Sequence, residues 1–131
     1  MHSTTPASVI AIDNIRLQEL LRTGIPLIDV RRPEEWRQTG IVAGSHLLTF
    51  FDARGDSDPG AWLRQLATLL PPGDTLALIC RSGYRSGLIA AFLAETGVYR
   101  TLYNVRAGIL GWLGAELPVA VAESAALPRS A

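Results

Sequence analysis

The sequence contains no lysine, one cysteine, one methionine and two histidines in 131 residues. A lone cysteine, Cys80, excludes an intramolecular disulfide framework. His2 and His46 do not cluster with Cys80 at metal-ligand spacing, so no structural zinc or other metal is expected. No apolar run reaches the length that spans a bilayer, and residues 1–8 lack the basic stretch and apolar core of a secretory signal. The expected compartment is the cytoplasm, with no membrane partner. Charge of one sign is not in excess either: 12 basic residues, all arginine, offset 12 acidic ones, leaving no net field to attract nucleic acid. A bias in genome composition accounts for the missing lysines.

What is present is the balance of a folded chain, with 48% apolar and 18% charged residues in a length suited to one hydrophobic core. Residues 1–8 read as an N-terminal extension, 9–119 as the domain and 120–131 as a flexible C-terminal tail poor in large apolar side chains. Within the domain, short apolar runs alternate with segments of helical periodicity. Residues 9–12 form a strand, followed by the N-cap Asp13 and a helix that stops at Gly24. Residues 27–30 form a second strand, and Pro33-Glu34-Glu35-Trp36 has the Pro and the acids that suit a first helical turn. A third strand is expected within 43–51, then a Gly/Asp loop over 52–60 and a helix over 61–70. Residues 75–79 make the strongest strand; a helix over 88–94 stopped by Gly97, a strand over 101–105 and a helix over 109–113 complete the pattern. Repeated strand–helix alternation predicts an α/β fold with a parallel sheet covered on both faces.

Cys80 ends the strongest strand, where open α/β sheets gather their ligands. Behind it come the polar residues Arg81, Ser82, Gly83, Tyr84, Arg85 and Ser86. Gly83 and Gly87 allow the chain to curve, so that the backbone N–H groups of 81–86 can converge on an anion beside a helix N-terminus. Arg81 and Arg85 add positive charge. Such a loop would both activate a thiolate nucleophile and hold an anionic partner. A lone cysteine that ends a strand is often no more than a small buried hydrophobe; the polar, glycine-bearing loop behind Cys80 favours the reactive reading.

Cys80-Arg81-Ser82-Gly83-Tyr84-Arg85-Ser86 resembles the active-site loop of rhodanese-like sulfurtransferases. Two further motifs of that family occur in the right order. Leu27-Ile28-Asp29-Val30-Arg31, followed by Pro33-Glu34-Glu35-Trp36, resembles the early strand and acidic turn. Asn104-Val105-Arg106-Ala107-Gly108-Ile109-Leu110-Gly111-Trp112, ending in Leu117-Pro118-Val119, resembles the C-terminal signature. The resemblance implies a rhodanese-like α/β fold, a five-stranded parallel sheet flanked by helices on both faces. It also implies a single-domain sulfurtransferase that needs no cofactor. Cys80 would take a sulfane sulfur from thiosulfate or another persulfide donor and pass it to cyanide, a thiol, a thioredoxin-like protein or a sulfur carrier. The chain departs from the family at Gly40-Ile41-Val42-Ala43-Gly44-Ser45, where Gly-His-Ile-Pro-Gly-Ala is usual, and carries one extra residue after Trp36.

Asp29 and Arg31 are supporting candidates: a buried ion pair bracing the active loop, or an exposed pair at a strand end. Tyr84, at the loop tip, is expected to shape access or contact the partner rather than to donate a proton. Trp36, Trp62 and Trp112 belong to the core. Ser82 and Ser86 have no histidine placed to activate them as nucleophiles, and His46 is a surface or hydrogen-bonded residue. Two alternatives use the same scaffold. A phosphatase or arsenate reductase typically places five residues between Cys and a closing Arg, whereas Arg85 follows Cys80 after four. A binding module without turnover often lacks the cysteine.

Overall fold

Strands and helices alternate along residues 8–122, the part of the chain that the computed structural model describes. The order is β1 (Ser8–Ile12), α1 (Asn14–Arg22), β2 (Leu27–Asp29), α2 (Pro33–Thr39), β3 (His46–Leu47), α3 (Pro59–Leu69), β4 (Leu76–Ile79), α4 (Tyr84–Thr96), β5 (Thr101–Val105) and α5 (Gly108–Gly114). Local chemistry sets the helix starts. The Asp13 carboxylate accepts from the Arg16 N–H at 2.9 Å, and Asp58 does the same for Ala61 at 3.1 Å, with Pro59 in the first turn. The Asp58-Pro59 signal opens α3 at Pro59, ahead of the start at 61 that helical periodicity alone predicts.

The sheet is wholly parallel, in the order β1-β5-β4-β2-β3. Side-chain alternation divides the core between its faces. Ile28, Leu76, Leu78 and Leu102 pack with Trp62 and Leu66 of α3 and Ile89, Ala90 and Leu93 of α4. Leu27, Ala77, Ile79 and Val105 pack on the other face with Leu17 and Leu20 of α1 and Ile109 and Trp112 of α5. Helices therefore cover both faces, as expected. All three tryptophans are buried core residues. No helix among the described residues is long and apolar enough to cross a membrane.

Two expectations are corrected. Helix α4 starts at Tyr84 rather than Leu88, because Gly83 adopts a left-handed conformation (φ 95°) that turns the chain into the helix at once. Tyr84, Arg85 and Ser86 thus belong to a first helical turn, not to a loop. Residues 120–122, assigned to the tail, are held against the domain: Ala120 pairs with Ile41 through bonds of 2.7 and 3.0 Å, and Ala122 is buried with Trp36, Ile41 and Leu47. Residues 1–7 and 123–131 lie outside the described residues. The same packing accounts for the departure at 40–45: Ile41, where the family has His, is fully buried and paired with Ala120.

Connections leave β4 toward β5 and β2 toward β3, outward in opposite directions. The crevice at the carboxyl ends of β4 and β2 is therefore the switch point of the sheet, and Cys80 and Asp29 stand on its two sides.

Candidate active site

Cys80 follows the last residue of β4, and its side chain points to the face covered by α4. It is 1% exposed. Three groups surround its sulfur. The backbone N–H of Gly83 donates to Sγ at 3.1 Å and that of Ser86 at 3.4 Å, while the Ser86 hydroxyl lies 3.3 Å away. The N–H convergence expected from the sequence is thus present, but two donors make it, one on each side of the turn into α4. Both N–H groups are placed to hydrogen-bond an anionic sulfur species at this position.

The turn is pinned from behind by the segment that leads into α5. The carbonyls of Cys80 and Arg81 accept from the N–H groups of Ile109 and Leu110 at 2.9 and 3.1 Å. A Cβ on Gly83 would run into the Arg106 carbonyl, and one on Gly108 (φ 61°) into the Arg81 carbonyl. Each glycine lets one backbone approach the other. Gly87 has a different role from the one expected: it lies inside α4, where a Cβ would stand 3.2 Å from the Asn104 amide nitrogen. Its missing side chain makes room for Asn104.

The remaining candidates separate. Arg81, Ser82 and Tyr84 are exposed at the mouth, Tyr84 by 73%. Ser86 is fully buried. Arg85 is committed to Glu35 of α2 through two bonds of 2.9 and 2.8 Å. Burial of Glu35 opposes its ionisation, but the Arg85 hydrogen bonds, the Arg32 N–H and the charges of Arg85 and Arg31 outweigh that, and its pKa falls to about 2. The bond to Glu35 in turn raises the pKa of Arg85. Beside the mouth, a groove of about 480 Å³ is lined by Arg32, Phe51, Arg54, Tyr84 and Leu88 together with the Glu35–Arg85 pair.

Asp29 and Arg31 are the buried ion pair of the two readings, 0% and 1% exposed and joined at 2.8 Å. They do not brace the Cys80 turn directly. The other guanidinium bonds of Arg31 go to the Glu35 carbonyl, Thr39 Oγ1 and the Gly40 carbonyl, at 3.4, 2.8 and 3.1 Å. The pair anchors α2, and α2 reaches the turn through Glu35.

Two residues that sequence reasoning did not single out thus belong to the site. In the sequence Glu35 stands out only as one of two acids in a helix-start and acidic-turn motif, with nothing to mark it as a partner of the Cys80 turn. Asn104 of β5 accepts from the Ser86 hydroxyl at 2.5 Å and donates to the Gly83 carbonyl at 3.2 Å. Its signal was available: strand alternation puts it on the same face as buried Leu102, a polar residue where an apolar one is due.

A family model described as the rhodanese-like domain matches residues 14–115. Rhodanese-like domain-containing protein 17 of Arabidopsis thaliana is 30% identical over 91% of this chain and 78% of its own length. Thiosulfate sulfurtransferase 18 of the same plant is 30% identical over 89% of this chain and 88% of its own. Among solved structures, the polysulfide-sulfur transferase homodimer of Wolinella succinogenes superposes with a TM-score of 0.65 at 26% identity, covering 84% of this chain and 77% of that one. With the fold, the Cys80 turn and the match in agreement, the chain belongs to the rhodanese-like domain family.

Proposed function

We propose that the protein is a sulfurtransferase that carries sulfane sulfur as a persulfide on Cys80. The observation that carries this reading is the sulfur's setting: Cys80 Sγ at the carboxyl end of β4, with the Gly83 and Ser86 N–H groups directed at it. With thiosulfate as donor, the Cys80 thiolate attacks the outer sulfur. A new S–S bond forms, the bond to the sulfonate sulfur breaks, and sulfite leaves with the electron pair. Cyanide or a thiolate then attacks the outer sulfur of the persulfide, giving thiocyanate or a new persulfide and returning the Cys80 thiolate. Two half-reactions through one covalent intermediate imply ping-pong kinetics. With one cysteine in the chain, the acceptor supplies the resolving nucleophile, whether a small thiol, a thioredoxin-like protein or a sulfur carrier. The names of the relatives, a thiosulfate sulfurtransferase and a polysulfide-sulfur transferase, support a sulfane-sulfur donor.

Arg85 supports sulfur transfer over oxyanion chemistry on this scaffold. It follows Cys80 after four residues, and both arms of its guanidinium are engaged by Glu35 rather than free to clamp a tetrahedral anion. The test is intact mass after incubation with excess thiosulfate without reductant. A gain of about 32 Da, one sulfur atom, lost on adding cyanide and absent in Cys80→Ala, is the expected result. Failure of both thiosulfate and a persulfide donor to load Cys80 would reject turnover and leave a binding module.

A further inference from the structure

The Ser86 hydroxyl stands between two acceptors, Cys80 Sγ at 3.3 Å and Asn104 Oδ1 at 2.5 Å, and has one hydrogen to give. The orientation of the Asn104 amide decides where it goes. Nδ2 faces the Gly83 carbonyl at 3.2 Å, an oxygen that can only accept, so Nδ2 must be the donor there. That leaves Oδ1, which can only accept, facing the Ser86 hydroxyl. The Ser86 hydrogen therefore lies on the line to Asn104, and the oxygen presents a lone pair to the sulfur. Of the three groups around Sγ, two backbone N–H groups donate, and the third is a hydroxyl whose single hydrogen has Asn104 Oδ1 as its nearer acceptor. Gly87 provides the space in which the amide sits, and complete burial of Ser86 keeps water from substituting for either partner.

We propose that Asn104 is a positioning residue that turns the Ser86 hydroxyl away from the Cys80 sulfur, so that Ser86 accepts a hydrogen bond from the thiol rather than donating one to the thiolate. The resting thiol S–H donates to Ser86 Oγ. When the proton leaves for solvent, the thiolate is held by the Gly83 and Ser86 N–H groups, while the hydroxyl stays bound to Asn104. Asn104 thereby restrains the reactivity of the uncharged resting site and fixes the left-handed Gly83 through its second bond. The inference concerns the proton on Cys80 and holds whatever sulfur donor the protein uses.

The test is the rate of Cys80 alkylation by iodoacetamide as a function of pH, which needs no sulfur transfer and so fails or succeeds independently of the proposed function. Asn104→Leu releases the hydroxyl to turn onto the sulfur as a third donor. The expected result is alkylation roughly threefold faster below neutral pH, with the rate profile displaced to lower pH, the order of one hydrogen bond gained by the thiolate. Ser86→Ala removes the acceptor of the S–H and is likewise expected to alkylate faster, whereas a hydroxyl that donated to the thiolate would make Ser86→Ala slower. In a Ser86→Ala background, Asn104→Leu should add no further acceleration. The charged and titratable groups on the elements packed around the turn are Arg81 after β4, Tyr84, Arg85 and Glu95 on α4, Asp29, Arg31 and Arg32 at and after the end of β2, Glu34, Glu35 and Arg37 on α2, Tyr103 on β5 and Arg106 before α5. All remain unchanged in these variants. Slower alkylation in Ser86→Ala, or an Asn104→Leu acceleration that persists without the hydroxyl, would overturn the assignment. Because Ser86→Ala leaves Asn104 and the Gly83 bond in place, it remains decisive even if Asn104→Leu proves unstable.

Discussion

Among the described residues, Arg31 is the one buried arginine, and it lies against the equally buried Asp29. Its guanidinium meets Asp29, Thr39 Oγ1 and two carbonyls with 1% of its surface exposed. A buried pair adds little net stability compared with an apolar substitute for both partners, but removing one partner leaves the other charge without water or counter-ion. Arg31→Met should therefore lower unfolding free energy by about 3–5 kcal/mol, read from urea denaturation. A loss below about 1 kcal/mol would show that Asp29 finds solvent, contrary to its complete burial. The hydroxyl of Tyr84, by contrast, makes no hydrogen bond among the described residues, and its side chain is 73% exposed.

At the scale of elements, the site depends on a close approach of two backbones, the turn after β4 and the segment before α5. Gly83 and Gly97 flank α4 and both have positive φ, 95° and 69°. They differ in what lies behind them: a Cβ at Gly97 meets open space, while one at Gly83 meets the Arg106 carbonyl. Gly97→Ala should cost only the left-handed penalty, about 1–2 kcal/mol, and leave Cys80 loading by thiosulfate intact. Gly83→Ala must also push the two backbones apart, which moves the N–H that donates to Sγ. We expect a larger fall in Tm and persulfide loading reduced at least about tenfold, the order of one displaced electrostatic donor at a reacting atom. Equal effects from the two alanines would mean that the penalty is conformational alone.

On the scale of the whole molecule, Glu35 and Arg85 join parts that are 50 residues apart in sequence, α2 and α4. Glu35 has a folded pKa of about 2, below the ordinary carboxylate value of 4.5 that the unfolded chain would show. The sign follows from the depressed value: the contribution to stability is fully present above pH 4.5 and is lost as pH falls toward 2. Its size is at most about 3–4 kcal/mol, since tenfold in proton affinity is worth about 1.4 kcal/mol, and solvent screening at the partly exposed pair reduces it. Thermal unfolding across that window should show Tm falling with pH, and Glu35→Gln should be less stable at neutral pH with a flatter acid limb. An unchanged acid limb in Glu35→Gln would assign the loss to other carboxylates.

Much of this was legible in the residues themselves, for reasons that are local. Apolar period, Asp13 and Pro33 at helix starts, Gly24 and Gly97 at helix ends, and a cysteine closing the run Leu76-Ala77-Leu78-Ile79 all act within a few residues. They determined the order of elements, the α/β class and the position of Cys80. The start of α4 was not legible, because a glycine marks a turn without saying which φ it takes; the Arg106 carbonyl against Gly83 decides that. Nor was the difference between Arg81, which is exposed at the surface, and Arg85, which is held by a helix 50 residues away. The sequence by itself determined which atom can react and where on the sheet it stands, since strand ends and turns are set by neighbours in the chain. Only the tertiary structure decided which donors face that atom, which arginine is spent on a carboxylate and where the Ser86 proton points. Those depend on hydrogen bonds between β4, β5, α2 and α4, whose partners are brought within 3.5 Å by packing rather than by spacing along the chain.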